Sequence, residues 1–286
     1  MAIMLDWTSA FGQGKILKKT VRGSPPVVVY RGESGRLAMA PERCAHRGAA
    51  LDAGFVDGDC VRCAYHARLQ APLEHAPLVE RDGVAWMAAS DIDCPQGPPE
   101  WTDPAFRTFE YTRRVESAAD VMMENLLDWE HVNSVHAFAI ERGDPEIVMW
   151  GDEFHGRAVY DYEGGLTLEN EFWVPYTNVL RFSKGDSVFV LWTSITPIDD
   201  STIDLHFRVS RNALRWIPDA AFRMMNDFVL NEDRRIVRLV PANFRGSLSE
   251  ADGFISMYRD AMSLTACIHE GTGSCLLGEQ PRRPAA

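Results

Sequence analysis

Two short motifs near the N-terminus each pair a cysteine with a histidine, and they constrain this chain more than any other feature. They are CAH at 44–46 and CAYH at 63–66, with sixteen residues between them. Because two thiolates can hold one iron while two neutral imidazoles hold a second, Cys44, His46, Cys63 and His66 predict a two-iron, two-sulfur cluster. Zinc also binds two cysteines and two histidines, but zinc fingers usually keep each like pair together. Zinc and an incidental grouping of core residues remain the alternatives.

The residues around these motifs predict a small antiparallel β domain. Short β-type runs at 27–30, 36–40 and 83–87 are separated by turn sequences such as Asp-Gly. Residues 94–106 then contain four prolines, which forbid regular structure and suit a linker. We therefore expect two domains, at 1–97 and 98–286.

The charge distribution argues against nucleic-acid and membrane partners. The net charge is -12, and the first 95 residues hold 11 of the 29 basic and 11 of the 41 acidic residues, so the acidic excess lies in the C-terminal part. An acidic surface repels phosphate backbones and anionic lipids. The apolar N-terminal run is interrupted by Asp6 and has no basic start, unlike a secretion signal. We expect a cytoplasmic protein.

The C-terminal part predicts an α+β domain. Residues 116–139 favour a helix, 155–211 alternate apolar and polar residues as strands of an antiparallel sheet do, and 219–240 favour a second helix after Pro218. A capping-box pattern at 249–252 predicts the start of a third helix. Helices on one face of a curled sheet would enclose an interior pocket.

Two histidines on the first predicted helix form a second candidate metal site. Asp128 and His131 are three residues apart and share a helix face. His131 and His136 are five apart, about 140° round an ideal helix, so both can reach one metal only if the helix is distorted or ends near His136. Considered alone, such a pair is more often structural than metal-binding.

The two constellations together resemble those of the Rieske non-haem iron oxygenases, in their alpha subunits. CAHRGAAL and VDGDCVRCAYHARL match the family's two cluster loops, and residues 124–136 match its E-N-x-x-D-x-x-H-x-x-x-x-H motif. The resemblance covers both predicted domains in the expected order. It implies a Rieske [2Fe-2S] domain followed by a helix-grip (START/Bet v 1-like) catalytic domain with a curved antiparallel sheet and long helices.

The resemblance also implies which residues hold a mononuclear Fe(II). His131 and His136 would be ligands, and Asp128 would carry electrons from a cluster histidine to His131. A 2-His-1-carboxylate site needs a third ligand, and the family's position matches Asp233. Glu232 and Asp227 lie on the same predicted helix and remain alternatives.

The second cluster loop departs from the family pattern at Ala64, Ala67 and Arg68, where proline, glycine and tryptophan are common. Respiratory-type Rieske proteins add a disulfide between the loops, for which the matching positions here are Ala49 and Tyr65. Neither residue is a cysteine, so this disulfide cannot form, and its absence points to the oxygenase type.

The chain contains no G-x-G-x-x-G in the context of a nucleotide-binding fold. Electrons from NAD(P)H would therefore come through a separate ferredoxin or flavin reductase. Arg47, Arg62 and Arg68 beside the cluster loops could form its docking face together with three lysines. Those lysines, Lys15, Lys18 and Lys19, could equally be solvated surface charge.

By resemblance, we expect a homotrimer in which one subunit's cluster feeds its neighbour's iron. The compact chain is more similar to members that use O2 as monooxygenases or demethylases on cyclic or aromatic molecules. A cis-dioxygenase and a non-catalytic electron carrier fused to a ligand-binding domain are the alternatives. The aromatic and methionine residues that could line the pocket, or be plain core, are Trp150, Phe172, Trp173, Trp192, Phe222, Met225 and Phe228.

Overall fold

The computed structural model describes residues 1–74, 76–136, 145–242, 244, 246–249 and 252–269. Three small antiparallel sheets precede one large antiparallel sheet, which long helices cover. This confirms the predicted α+β class. Within the described residues, no helix is both long and apolar enough to cross a membrane.

Nine short strands form the N-terminal part. Their sheet orders are β1-β9-β8, β2-β3-β4 and β5-β6-β7. Left-handed glycines occupy three of the tight turns, at Gly35, Gly58 and Gly83, where a side chain would strain the backbone. The strands are β1 (Ala2–Trp7), β2 (Ile16–Lys19), β3 (Val27–Arg31), β4 (Leu37–Pro41), β5 (Phe55–Asp57), β6 (Cys60–Arg62), β7 (Leu69–Gln70), β8 (Leu78–Arg81) and β9 (Val84–Ala88).

The large sheet has seven strands in the order β10-β16-β15-β14-β13-β12-β11, all antiparallel. The predicted alternation of apolar and polar residues is seen along β13, where every second side chain is buried. The strands are β10 (Arg107–Glu116), β11 (Glu146–Gly151), β12 (His155–Asp161), β13 (Leu166–Trp173), β14 (Thr177–Lys184), β15 (Ser187–Pro197) and β16 (Thr202–Arg211).

The helices are α1 (Ala119–Leu127), α2 (Val132–Val135), α3 (Asp219–Val237) and α4 (Gly253–His269). The last two confirm the second and third predicted helices. At the start of α4, the backbone N–H and hydroxyl of Ser249 both donate to Asp252, at 2.7 and 2.8 Å.

The prediction of one continuous helix over 116–139 is wrong. Glu116 ends strand β10, α1 ends at Leu127, and the short α2 follows only after a break that contains Asp128. Residues 137–139 lie outside the described part of the chain. The break is the distortion that a shared metal at His131 and His136 requires.

Tryptophans join the N-terminal sheets to the large sheet. Trp192 of β15 packs against Trp7, Trp86 and Trp101 with ring centroids 5.7, 6.0 and 5.4 Å away. The outer face of β15 is thus buried by the N-terminal part, so its inner face is free to line an interior cavity.

Candidate metal centres

The two cysteine-histidine motifs form turns with the same backbone hydrogen bonds. The N–H of Cys44 donates to the carbonyl of Ala49 at 2.8 Å, and the N–H of Gly48 donates back to Cys44 at 2.9 Å. In the second loop, Cys63 donates to Arg68 and Ala67 donates to Cys63, both at 2.9 Å. The two loops therefore hold their cysteines at equivalent backbone positions, and the histidines follow two and three residues later.

Two thiols lie inside these turns and two imidazoles outside. Cys44 and Cys63 are buried, whereas His46 and His66 are exposed, with ring centroids 4.8 Å apart. The backbone N–H of Tyr65 lowers the pKa of the Cys63 thiol against the opposing effect of burial, and the His66 N–H and Cys44 side chain also lower it. Lowered thiol pKa values favour the thiolate that a metal needs. This donor set fits a two-iron cluster.

The break between α1 and α2 turns the second pair of histidines toward α3. Asp128 stabilises the turn, because its carboxylate accepts a hydrogen bond from the backbone N–H of His131 at 3.2 Å. His136 ends α2 in an extended conformation. The two histidines thereby leave the ideal helical positions that would have held them on different faces.

His131, His136 and Asp233 converge on one point. Their ligand atoms lie within 4.8 Å of one another, and the Nε2 atom of each histidine is 3.4 Å from Asp233 Oδ1. That oxygen is buried and has no hydrogen-bond partner in the described part of the chain. Burial acts to lower the pKa of His131, but Asp233 and Asp128 together outweigh it and the net change is upward. A divalent metal would satisfy all three groups, so the residues fit a 2-His-1-carboxylate site.

The other ring nitrogens of both histidines have oxygen partners. Nδ1 of His131 lies 2.5 Å from the carbonyl of Asp128, and Nδ1 of His136 lies 3.1 Å from Glu232 Oε2. Such partners orient metal-binding imidazoles. Asp227 is held away from the centre in a two-pronged pair with Arg113, at 2.9 and 2.8 Å. Of the three candidate carboxylates, only Asp233 joins the group.

A cavity of about 350 Å³ opens beside this triad. Its walls are mostly apolar, with α1 and α3 on one side and strands β14 to β16 on the other. Of the seven sequence candidates, only Met225 lines it. Phe172 is buried in the core elsewhere, and Trp192 faces the N-terminal sheets.

Sequence reasoning missed most of the cavity wall. Six of the overlooked apolar residues come from the inner faces of three strands: Leu180, Phe182, Phe189, Leu191, Leu205 and Phe207. Apolar-polar alternation with a period of two would have selected Phe189 and Leu191, but the residues that alternate with them, Val190 and Trp192, are also apolar. Because both faces of β15 are buried, the alternation was hidden.

Three of the basic candidates for a docking face are engaged in ion pairs. Lys18 binds Glu42, Lys19 binds Asp6, and Arg62 binds Asp57. Arg47 and Arg68 are exposed beside the cluster histidines, and Arg47 lies over the ring of Tyr65, 5.9 Å from its centroid. The prediction of a basic docking face stays a prediction.

Comparison with known proteins identifies the first part of the chain. The Rieske [2Fe-2S] domain family matches residues 3–70. The iron-sulfur subunit TsaM1 of a toluene-4-sulfonate monooxygenase from Comamonas testosteroni is 30% identical over 39% of this chain and 39% of its own length. Methylxanthine N1-demethylase NdmA of Pseudomonas putida is 26% identical over 68% and 67%. The chain thus spans less than two thirds of the first relative.

Solved structures extend the likeness to the whole fold. The QL mutant of NdmA from Pseudomonas putida CBB5, with caffeine, has a TM-score of 0.82 at 20% identity, covering 94% of this chain and 91% of that one. Dicamba monooxygenase bound to dicamba has a TM-score of 0.74 at 17% identity, covering 93% and 98%. At this identity, the likeness shows that the fold is shared.

Proposed function

Because the chain belongs to the Rieske non-haem iron oxygenase alpha-subunit family, we propose that it oxidises a small cyclic or aromatic molecule with O2, as a monooxygenase. One observation carries the proposal: two imidazoles and a carboxylate converge on the wall of a partly open, mostly apolar cavity. We also propose that residues 1–97 form the cluster domain and 98–286 the catalytic domain.

We propose that Cys44, His46, Cys63 and His66 hold the cluster and that His131, His136 and Asp233 hold the mononuclear iron. When bound, the cluster would supply single electrons and the iron would supply O2 activation. The mostly apolar walls would limit the access of water and hold the substrate against the triad, which is the protein's contribution to the reaction.

Asp128 is proposed to link the two centres between subunits. Its carbonyl oxygen contacts Nδ1 of His131, and its side chain is partly exposed. The exposed rings of His46 and His66 could reach such a residue on a neighbouring copy. We propose the homotrimer that the family resemblance implies, with electrons supplied from NAD(P)H by a separate ferredoxin or reductase.

Demethylation is the favoured outcome of the oxidation. Relatives over part of the chain include the methylxanthine N1-demethylase, the oxygenase component of dicamba O-demethylase from Stenotrophomonas maltophilia and a vanillate O-demethylase oxygenase subunit from Pseudomonas. The group to be oxidised next to the triad would be a methyl group on a ring nitrogen or on an oxygen attached to the ring, or the ring itself.

The test is NADH-dependent turnover with a surrogate ferredoxin and reductase under ¹⁸O2. The panel consists of ring compounds with N-methyl or O-methyl groups. Incorporation of one labelled atom per O2 consumed, in the product or in released formaldehyde, is expected. Two labelled atoms in one product would indicate dioxygenation, whereas no substrate-dependent O2 uptake by protein with both metal sites filled would contradict the proposal.

A further inference from the structure

The two cluster loops, residues 44–50 and 63–69, form a positively charged surface. They contain Arg47 and Arg68 and no acidic residue, and both arginines are exposed. Partial desolvation lowers the pKa of His46, and the positive charge of Arg68 lowers it further, so this guanidinium lies near the His46 ring. Neither arginine forms an ion pair with a carboxylate of the described residues.

A bound cluster leaves this surface positive. In the oxidised state, two ferric ions balance two sulfides and two cysteine thiolates in formal charge, and one-electron reduction adds a single negative charge. The two arginines outweigh that charge. The surface around His46 and His66 therefore stays positive in both oxidation states.

The break between α1 and α2 carries the opposite charge. Residues 119–136 contain four acidic residues and no lysine or arginine. Two of them, Glu124 and Asp120, are bound to neighbouring side chains. The other two, Asp128 and Glu130, have no lysine or arginine partner within the part of the chain that the structure describes. The Asp128 side chain is 32% exposed and Glu130 is exposed, so both carboxylates face solvent.

A metal in the neighbouring triad does not cancel this charge. A divalent ion held by Asp233 and two neutral imidazoles keeps one positive charge, and its ligands are mostly buried, with side-chain exposures of 15, 3 and 11% for His131, His136 and Asp233. The two outer carboxylates carry two negative charges. The break is therefore negative with the metal bound, and we call residues 128–130 the acidic break.

The positive loops and the acidic break belong to different parts of one chain. No ion pair joins them within a single copy, as far as the described residues show. Two different complementary patches on one chain favour a head-to-tail contact between copies, which can close into a ring. Such a contact brings His46 and His66 of one copy toward Asp128 of the next.

We propose that a second copy of this chain docks its acidic break onto the cluster loops, with Arg68 of one copy paired to Glu130 of the next. Arg68 stands where the resembling family commonly has a tryptophan, so this chain has a charge in place of an apolar ring. The pair assigns Arg68 to the contact between copies and not to a ferredoxin. The identity of the two metal centres rests on the proposed function, whereas the contact is tested without turnover.

Charge reversal tests the pair with Arg68→Glu, Glu130→Arg and the double variant. Sedimentation equilibrium of the full-length, metal-loaded protein gives the association constant, and the visible absorbance of the cluster checks that each variant is folded. Each single reversal is expected to weaken association about tenfold, because it places like charges opposite each other, and the double variant is expected to recover most of the loss.

Arg36→Glu is the matched control for a reversed charge in the same domain. Arg36 is exposed and lies near Asp59, which precedes β6, whereas the second cluster loop follows β6. This variant should associate as the wild type does. Raising the salt concentration should weaken wild-type association, since exposed ion pairs are screened, and this measurement needs no variant.

The inference is overturned if the wild type does not associate or is indifferent to salt, if both single variants associate normally, or if the double variant is as weak as the single variants. Slower cluster reduction by a surrogate ferredoxin in Arg68→Glu, with association unchanged, would also overturn it and assign the surface to the ferredoxin. If the double variant is rescued but no O2-dependent oxidation is found, the proposed function fails and the contact between copies stands.

Discussion

Ala67 has a left-handed backbone conformation at a position where a glycine is usual. It has a φ of 54° and takes the same place in the second cluster loop that Gly48, with a φ of 70°, takes in the first. Left-handed backbone costs an alanine about 1–2 kcal/mol, which glycine avoids. The glycine that is usual in the family at this position thus has a conformational reason. This chain has an alanine there instead.

Ala67→Gly is therefore expected to increase the free energy of unfolding by about 0.5–1 kcal/mol, since part of the gain is offset by the greater unfolded-state entropy of glycine. Urea unfolding followed by loss of the cluster's visible absorbance measures it. The reciprocal change Gly48→Ala meets no atom within 4 Å and should be destabilising by about 1 kcal/mol through φ alone. Stabilisation by both substitutions, or by neither, would contradict this account.

At the scale of the element, the end of α1 decides where the histidines point. Its Leu126 carbonyl belongs to the last turn, where helical acceptors lack partners, and the buried amide of Asn170 on β13 donates to it at 3.1 Å. Asn178 on β14 donates in turn to Asn170 at 2.6 Å. The sheet thus fixes the position at which the helix breaks before Asp128.

Asn170→Ala should remove this anchor and leave the Leu126 carbonyl unpaired, costing about 1–3 kcal/mol in stability and lowering mononuclear iron content relative to cluster content. Iron and acid-labile sulfide assays give the ratio. Asn178→Ala is the matched control, because it disturbs the same buried pair without touching Leu126. If both variants lose mononuclear iron equally, the loss reflects general destabilisation and the anchoring role is wrong.

The sequence predicted these elements unevenly for physical reasons. Strands such as β3, β4 and β9 were predicted because turn residues lie at their ends. Helix α3 was predicted because no helix-breaking residue interrupts its sequence. The break at Asp128 was not located, because Asn170, which holds the helix end, is 44 residues away in sequence. Asp233 could be favoured over Asp227 only by resemblance, since the Arg113 partner that occupies Asp227 comes from a distant strand.

At the scale of the molecule, a fully buried histidine lies where the N-terminal sheets meet the large sheet. The ring nitrogens of His206 lie 3.0 Å from the Thr112 hydroxyl and 2.9 Å from that of Thr196, and the Thr196 hydroxyl also donates to the carbonyl of Met4 on β1. Burial lowers the pKa of His206 to about 4, with Lys19 acting in the same direction and Asp6 and Asp204 opposing. The junction is therefore built around a neutral imidazole.

This burial makes stability depend on pH in a defined window. Between the unfolded pKa of 6.5 and the folded value of about 4, the unfolded chain takes up a proton that the folded chain excludes, so stability falls as pH falls. At pH 5 the loss relative to pH 7 should be about 2 kcal/mol. His206→Gln should lose that part of the pH dependence in urea unfolding. Above pH 7 the two proteins should respond alike, and equal slopes between pH 7 and pH 5 would contradict the assignment.

We propose that Asp233, with His131 and His136, holds a mononuclear iron in a chain that also carries a cluster. Three single substitutions on α3 test it directly: Asp233→Ala, Glu232→Ala and Asp227→Ala. The measurement is iron per acid-labile sulfide, with the cluster's visible spectrum as the internal control.

Asp233→Ala is expected to keep the cluster spectrum and sulfide but to lose about one iron per chain, because the site loses its only carboxylate ligand. Glu232→Ala should weaken iron affinity by roughly 10–100-fold through loss of the His136 partner, and Asp227→Ala should retain the iron. Full iron content in Asp233→Ala, or loss of iron from Asp227→Ala alone, would contradict the account.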